Sequence, residues 1–188
     1  MSLRVIAGKA KGKRLKSVPG ETTRPVTDMV KEALFNILSG DVIDSSWWDL
    51  FGGTGAIGIE ALSRGARFVR FSDLNKLPVE IIRQNLTSTG FSSLAEVRKE
   101  DTFKHLAANP DRTFDFIYIA PPQYKEMWSR ALKILDQNID WLSEKGSVIV
   151  QIHPKEYHEA ELEHLEKVDE RKYGSTLLVF FEKRNSNA

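Results

Sequence analysis

Apolar positions along this chain recur with two periods, and the alternation between them lays out its elements. Behind the extended Arg24-Pro25-Val26-Thr27, with Thr27 as cap, Val30, Ala33, Leu34, Ile37 and Leu38 fall on one helical face, and Gly40 is a stop. An apolar run then predicts a buried strand over residues 46–51, followed by a helix reaching Arg64-Gly65. Phe68-Val69-Arg70-Phe71 reads as the second strand, with Asp73 just beyond it. Pro78 suits the first turn of the next helix, whose Val79, Ile82 and Leu86 can face a sheet. A weaker third strand is predicted over residues 95–98, and a fourth over 116–119 that runs into Ala120-Pro121-Pro122-Gln123-Tyr124. Met127, Trp128, Ala131, Leu132 and Leu135 predict a core-facing helix, and residues 147–151 a fifth strand. Residues 170–173 and 176–181 flank Gly174 as a closing antiparallel hairpin. The whole is an α/β pattern: a seven-stranded, mostly parallel sheet in a three-layer α/β/α sandwich.

The first strand ends in Asp49-Leu50-Phe51-Gly52-Gly53-Thr54-Gly55, and a helix opens at once. A glycine turn between strand and helix lets backbone approach a nucleotide-like ligand closely. Gly53 and Gly55 permit backbone angles that a Cβ forbids, whereas Gly58 lets the helix sit tightly on its strand. Asp73 lies twenty residues after Gly53, where an acid can hold a ribose hydroxyl. This pattern does not separate a dinucleotide from S-adenosylmethionine.

Composition narrows the classes. The 188 residues contain no cysteine, which excludes a disulfide framework, a thiolate nucleophile and a cysteine-based zinc site. No apolar run approaches a membrane span and the start lacks the core of a signal peptide, so the cytoplasm is the expected compartment. The net charge of +1 hides an asymmetry, because residues 1–24 hold Arg4, Lys9, Lys11, Lys13, Arg14, Lys16 and Arg24 against Glu21 alone. Such a basic arm, ahead of a body at residues 25–188, is suited to nucleic-acid phosphates, and Gly8 and Gly12 suggest that it forms a short hairpin. His105, His153, His158 and His164 show no metal-ligand spacing and no obvious acid partner, and no metal is assigned. Asp115 is read as a turn or edge residue preceding strand four.

Open parallel sheets bind ligands at the carboxyl ends of their strands. Asp49 and the glycine turn, Asp73, Asp101-Thr102 and the Pro-Pro segment all follow strands in this way.

Three stretches carry a family resemblance: Arg4-Val5-Ile6-Ala7-Gly8; Arg24-Pro25-Val26-Thr27-Asp28 through Lys31-Glu32-Ala33-Leu34-Phe35-Asn36; and Asp49 to Gly55 with Glu60-Ala61-Leu62-Ser63-Arg64-Gly65. They resemble the RsmD family of class I, Rossmann-like, S-adenosylmethionine-dependent methyltransferases, which act on guanine N2 of small-subunit (16S) ribosomal RNA. The expected partner is this RNA or the assembling small subunit, and the expected state is a monomer. It implies that Phe51, Gly52, Gly53, Thr54 and Gly55 hold the methionine part of the cofactor, with Asp49 orienting its amine. Asp73 would hold the ribose, and Asp101 with Thr102 the adenine region. Carboxylates accept hydrogen bonds from ribose hydroxyls and from an ammonium, so the roles suit the residues.

The departure is at strand four, where the family normally carries Asp-Pro-Pro followed by Tyr or Phe. Here Ala120 replaces the acid, and Tyr124 follows Pro121-Pro122 one residue late. The acid's expected role is to accept a hydrogen bond from the exocyclic amine while the aromatic stacks on an extruded base. A lost buried acceptor costs on the order of 1–3 kcal/mol, whereas alignment of donor and acceptor contributes roughly 7–11 kcal/mol. Activity is therefore compatible with Ala120, with main-chain carbonyls of residues 120–122 as replacement acceptors. The alternative is a catalytically silent relative that binds ribosomal RNA or assembling subunits. An NAD-dependent oxidoreductase would need a hydride-transfer acid or base that is not found.

Overall fold

A computed structural model describes residues 3–20 and 26–185. Its strands form a seven-stranded sheet in the order β3-β2-β1-β4-β5-β7-β6. They span Ser46–Asp49, Phe68–Asp73, Ala95–Lys99, Phe114–Ile119, Leu142–Ile152, Leu165–Tyr173 and Thr176–Lys183, numbered β1 to β7. Helices α1 to α5 span Asp28–Leu38, Ala56–Ser63, Lys76–Thr89, Thr102–Leu106 and Met127–Gln137. The chain divides into two compact units, Met1–Asp101 and Thr102–Ala188.

In the first unit β1, β2 and β3 pair in parallel. All four residues of β1 are buried, including Trp47 and Trp48, because such a strand is covered on both faces. Helix α2 is buried at all eight positions. Gly58 sets its seat, since a Cβ there would lie 2.3 Å from the Phe71 ring on β2. Thr27 caps α1 by accepting from the Val30 amide. The buried face of α1 is Val30, Lys31, Leu34, Phe35 and Leu38, while Ile37 is exposed. The expected face is thus rotated toward Phe35, whose ring lies 5.6 Å from Trp47. The helix ends at Leu38, before Gly40, and continues as a 3-10 turn over Ser39–Val42.

In the second unit β4 and β5 are parallel, and β5, β7 and β6 are antiparallel neighbours. The closing hairpin is as expected, but β5 begins at Leu142 instead of residue 147, because Leu142 pairs with Phe114 ahead of an irregularity in β4. Asp115 lies inside β4, where it accepts from the Ser143 hydroxyl at 3.0 Å. The pairing of residues 142–146 extends the strand across a position that reads locally as a turn.

Candidate active site

In the first unit the chemistry gathers where β1 and β2 end. Gly53 and Gly55 have φ of +56° and +78°, left-handed angles that suit glycine. A Cβ on Gly52 would meet Ile82 of α3 at 2.7 Å, whereas one on Gly53 would meet nothing nearer than 4.0 Å. The turn is therefore packed beneath and open at Gly53. The Asp73 carboxylate accepts from the Gly53 amide at 3.1 Å and from the Asn75 amide at 2.9 Å, which ties the end of β2 to the glycine turn. The Leu74 amide bonds the same carboxylate, which still keeps acceptor capacity for a further donor.

Asp49 is buried, and its Oδ1 has no hydrogen-bond partner. Burial, reinforced by the Asp73 charge and opposed by the Phe51 amide, pushes its carboxyl up to about 7. Burial also raises Asp73, with the Asn75 and Gly53 amides pulling it back. A buried acceptor without a donor is costly, and an ammonium ligand would supply the missing donor and the countercharge. The chain's own residues thus fit the amino-acid end of an amine-bearing cofactor. Asp101 follows β3, half-buried, and Thr102 opens α4 in the second unit, buried.

Within the described residues 3–20 of the basic arm, Arg4 and Arg14 form an antiparallel bridge. The arm is held by α2. The buried Glu60 carboxylate accepts from the Ile6 and Ala7 amides at 2.9 and 3.0 Å and from Arg64 Nε at 2.9 Å. Its second cation is the buried Lys31, 3.9 Å away, whose ammonium also donates to the Arg4 carbonyl. Burial lowers the Lys31 pKa, and Glu60 opposes that shift. Ser63 accepts from Ala10 and donates to Ala7, and its carbonyl accepts from the Lys9 amide. Gly8 has a φ of +82°, and a Cβ there would overlap the Ser63 carbonyl at 1.9 Å. Lys9, Lys11, Lys13 and Arg14 are exposed. Arg4 pairs with Asp28 at 3.0 Å, and the Lys16 ammonium reaches Gln84 at 2.7 Å. Arg24 lies outside the described residues.

In the second unit Pro121 is buried after β4, Ala120 is half-buried, and Pro122 and Gln123 are exposed. Tyr124 is 66% exposed and has a φ of +61°, uncommon for a residue with a Cβ. Its amide donates to Glu156 Oε1 at 2.6 Å, while the other Glu156 oxygen accepts from the His153 amide at 3.1 Å. One carboxylate thereby joins the loop after β4 to the loop after β5. The Tyr124 and His153 rings lie 6.0 Å apart. Sequence reasoning missed Glu156, because a carboxylate that binds main-chain amides carries no spacing signal. His158 does have an acid partner, Glu126 at 2.8 Å, whose hydrogen bond raises the imidazole pKa. The two are 32 residues apart and meet through the left-handed backbone at Glu126, φ +53°. Among the described residues no cluster of acids and histidines has metal-ligand geometry, and no helix is long and apolar enough to cross a membrane.

The strand order, the glycine turn after β1 and the terminal antiparallel pair define the class: a Rossmann-like fold of the S-adenosylmethionine-dependent methyltransferase type. A solved structure titled "putative methylase HI0767", from Haemophilus influenzae, superposes with a TM-score of 0.78 at 28% identity, over 98% of this chain and 100% of that one. Residues 3–182 match the family model described as Conserved hypothetical protein 95, and the chain belongs to that family. Its relatives include the Bacillus subtilis protein named "Putative rRNA methyltransferase YlbH", 36% identical over 97% of this chain and 100% of its own length. The Haemophilus influenzae "Ribosomal RNA small subunit methyltransferase D" is 34% identical over 79% of this chain and 78% of its own.

Proposed function

We propose that this protein methylates the exocyclic N2 of a guanine in small-subunit ribosomal RNA, with S-adenosylmethionine as methyl donor. The observation that carries the cofactor part is the buried Asp49 oxygen without a donor, set beside a glycine turn that is open at Gly53. The names of the relatives support ribosomal RNA as substrate. The resemblance of the motifs supports guanine N2.

When bound, the cofactor supplies an electrophilic methyl on a sulfonium, so no metal is required. Residues 51–55 receive its methionine part through main-chain groups, and ionised Asp49 accepts from its amine. Asp73 accepts from the ribose hydroxyls while still bracing Gly53. Asp101 and Thr102 border the adenine. The carbonyls of residues 120–122 accept the hydrogens of the guanine amine, which turns the nitrogen lone pair toward the methyl, and Tyr124 stacks on the base. The exposed Lys9, Lys11, Lys13 and Arg14, with Arg4, Lys16 and Arg24, attract and position phosphates without specifying sequence. On this reading the protein works as a monomer in the cytoplasm, on free RNA or the assembling small subunit.

Turnover of Pro121→Ala, Pro122→Ala and Tyr124→Ala, measured as labelled-methyl transfer to small subunits, tests the motif. Tyr124→Ala is expected to lose at least tenfold, and unchanged rates in all three remove the segment from the site. Ala120 favours one other reading, a silent RNA-binding relative, for which wild-type protein would bind cofactor and subunit yet transfer nothing.

A further inference from the structure

Asn85 on α3 is 1% exposed, and its side-chain amide has two addresses. Toward the arm, its Oδ1 accepts from the Lys16 amide at 2.8 Å and its Nδ2 donates to the Lys16 carbonyl at 3.1 Å. Toward the glycine turn, the same Nδ2 donates to the Thr54 carbonyl at 2.9 Å. Both donors and the acceptor of one buried amide are therefore used, and they join the end of the basic arm to the turn that receives the cofactor. Aspartate would set an oxygen against two carbonyls, and alanine would leave all three main-chain groups without this partner. The turn is also packed on α3 through Gly52 and Gly55 against Ile82, so α3 carries both attachments.

We infer that Asn85 is a positioning residue that couples occupation of the glycine turn to the conformation of the basic arm, so that cofactor and RNA bind cooperatively. The inference rests on the proposed roles of the turn and the arm. A ligand that fixes the Thr54 carbonyl fixes the Nδ2 that donates to it, and through the same amide it holds the Lys16 main chain. By linkage, RNA that holds the arm strengthens cofactor binding by the same factor, about fivefold or more for a coupling of this kind.

The first test needs no RNA. Amide hydrogen exchange of the full chain is followed with and without saturating S-adenosylhomocysteine. The Lys16 amide is expected to slow about fivefold in the wild type and not at all in Asn85→Asp or Asn85→Ala. The Val5 and Gly12 amides, bonded within the arm, report whether each variant keeps its fold. Wild-type binding that leaves Lys16 exchange unchanged overturns the inference, whatever the variants do. Failure of the wild type to bind S-adenosylhomocysteine overturns the cofactor reading and the inference with it. The second test is the affinity of S-adenosylhomocysteine with and without a small-subunit ribosomal RNA fragment, expected to rise about fivefold in the wild type and to be unchanged in Asn85→Asp. RNA that binds without changing that affinity overturns cooperativity. RNA that does not bind removes the role given to the arm and overturns cooperativity with it.

Discussion

If Asp49 receives the cofactor amine as proposed, its ionisation should make cofactor binding pH-dependent across neutrality. Its carboxyl is pushed up to about 7, chiefly by burial and next by Asp73, with the Phe51 amide pulling the other way. An amine-bearing ligand takes the ionised form, which falls from about ten-elevenths of the protein at pH 8 to about one-eleventh at pH 6. S-adenosylhomocysteine affinity should therefore weaken about tenfold between pH 8 and pH 6. Asp49→Asn keeps the shape and removes the titration, so any slope it retains belongs to the ligand and to other groups. At pH 8 it should bind about 10–100-fold more weakly, as expected for loss of a hydrogen bond to a charged group. Calorimetric titration over pH 5.5–8.5 in buffers of different ionisation enthalpy measures both affinity and proton release. Because the folded pKa is raised, the carboxyl's contribution to stability is fully present below its unfolded value of 3.8 and is lost as pH rises through about 7. Over about three pH units the loss approaches 4 kcal/mol, so cofactor-free Asp49→Asn should be the more stable protein at pH 8. Equal wild-type affinity at pH 6 and pH 8, or an equal slope in Asp49→Asn, would refute the reasoning.

Glu60→Gln strips the buried Lys31 of its countercharge and should cost about 3–5 kcal/mol in a urea titration; a loss below 1 kcal/mol would contradict the account of how α2 holds the arm. Gly58→Ala drives a Cβ into the Phe71 ring and beside Val69, with an expected loss of about 1–3 kcal/mol by thermal or chemical unfolding, and wild-type stability would show that α2 does not depend on this close approach. Binding of ribosomal RNA should fall steeply with salt, and each alanine at Lys9, Lys11, Lys13 or Arg14 should reduce the log–log slope by up to about one; slopes unchanged in all four would place the RNA elsewhere.

The strand–helix alternation was legible because each strand and each amphipathic helix announces its own period. Gly58 and the turn at Gly53 and Gly55 were legible because close approach and left-handed backbone demand glycine. What escaped depends on partners distant in the chain. The burial of Glu60 had a visible signal, one carboxylate among the otherwise apolar residues 56–62, but its ligands include main-chain amides of Ile6 and Ala7 that no residue type marks. Asn85 and Glu156 escaped for the same reason. The rotation of the α1 face toward Lys31 and Phe35 follows from tertiary demand: the Lys31 ammonium reaches Glu60 and the Arg4 carbonyl, and Arg64 lies 4.8 Å over the Phe35 ring. Asp115 looked like a turn because the β4 irregularity and the early start of β5 are set by pairing between strands, not by local sequence.

The most direct test of the central claim is nucleoside analysis after labelled-methyl transfer from S-adenosylmethionine to small ribosomal subunits from a strain that lacks its own RsmD-type enzyme. Label is expected in N2-methylguanosine. Label in a different nucleoside, or no transfer by protein shown to bind both cofactor and subunit, would contradict the claim.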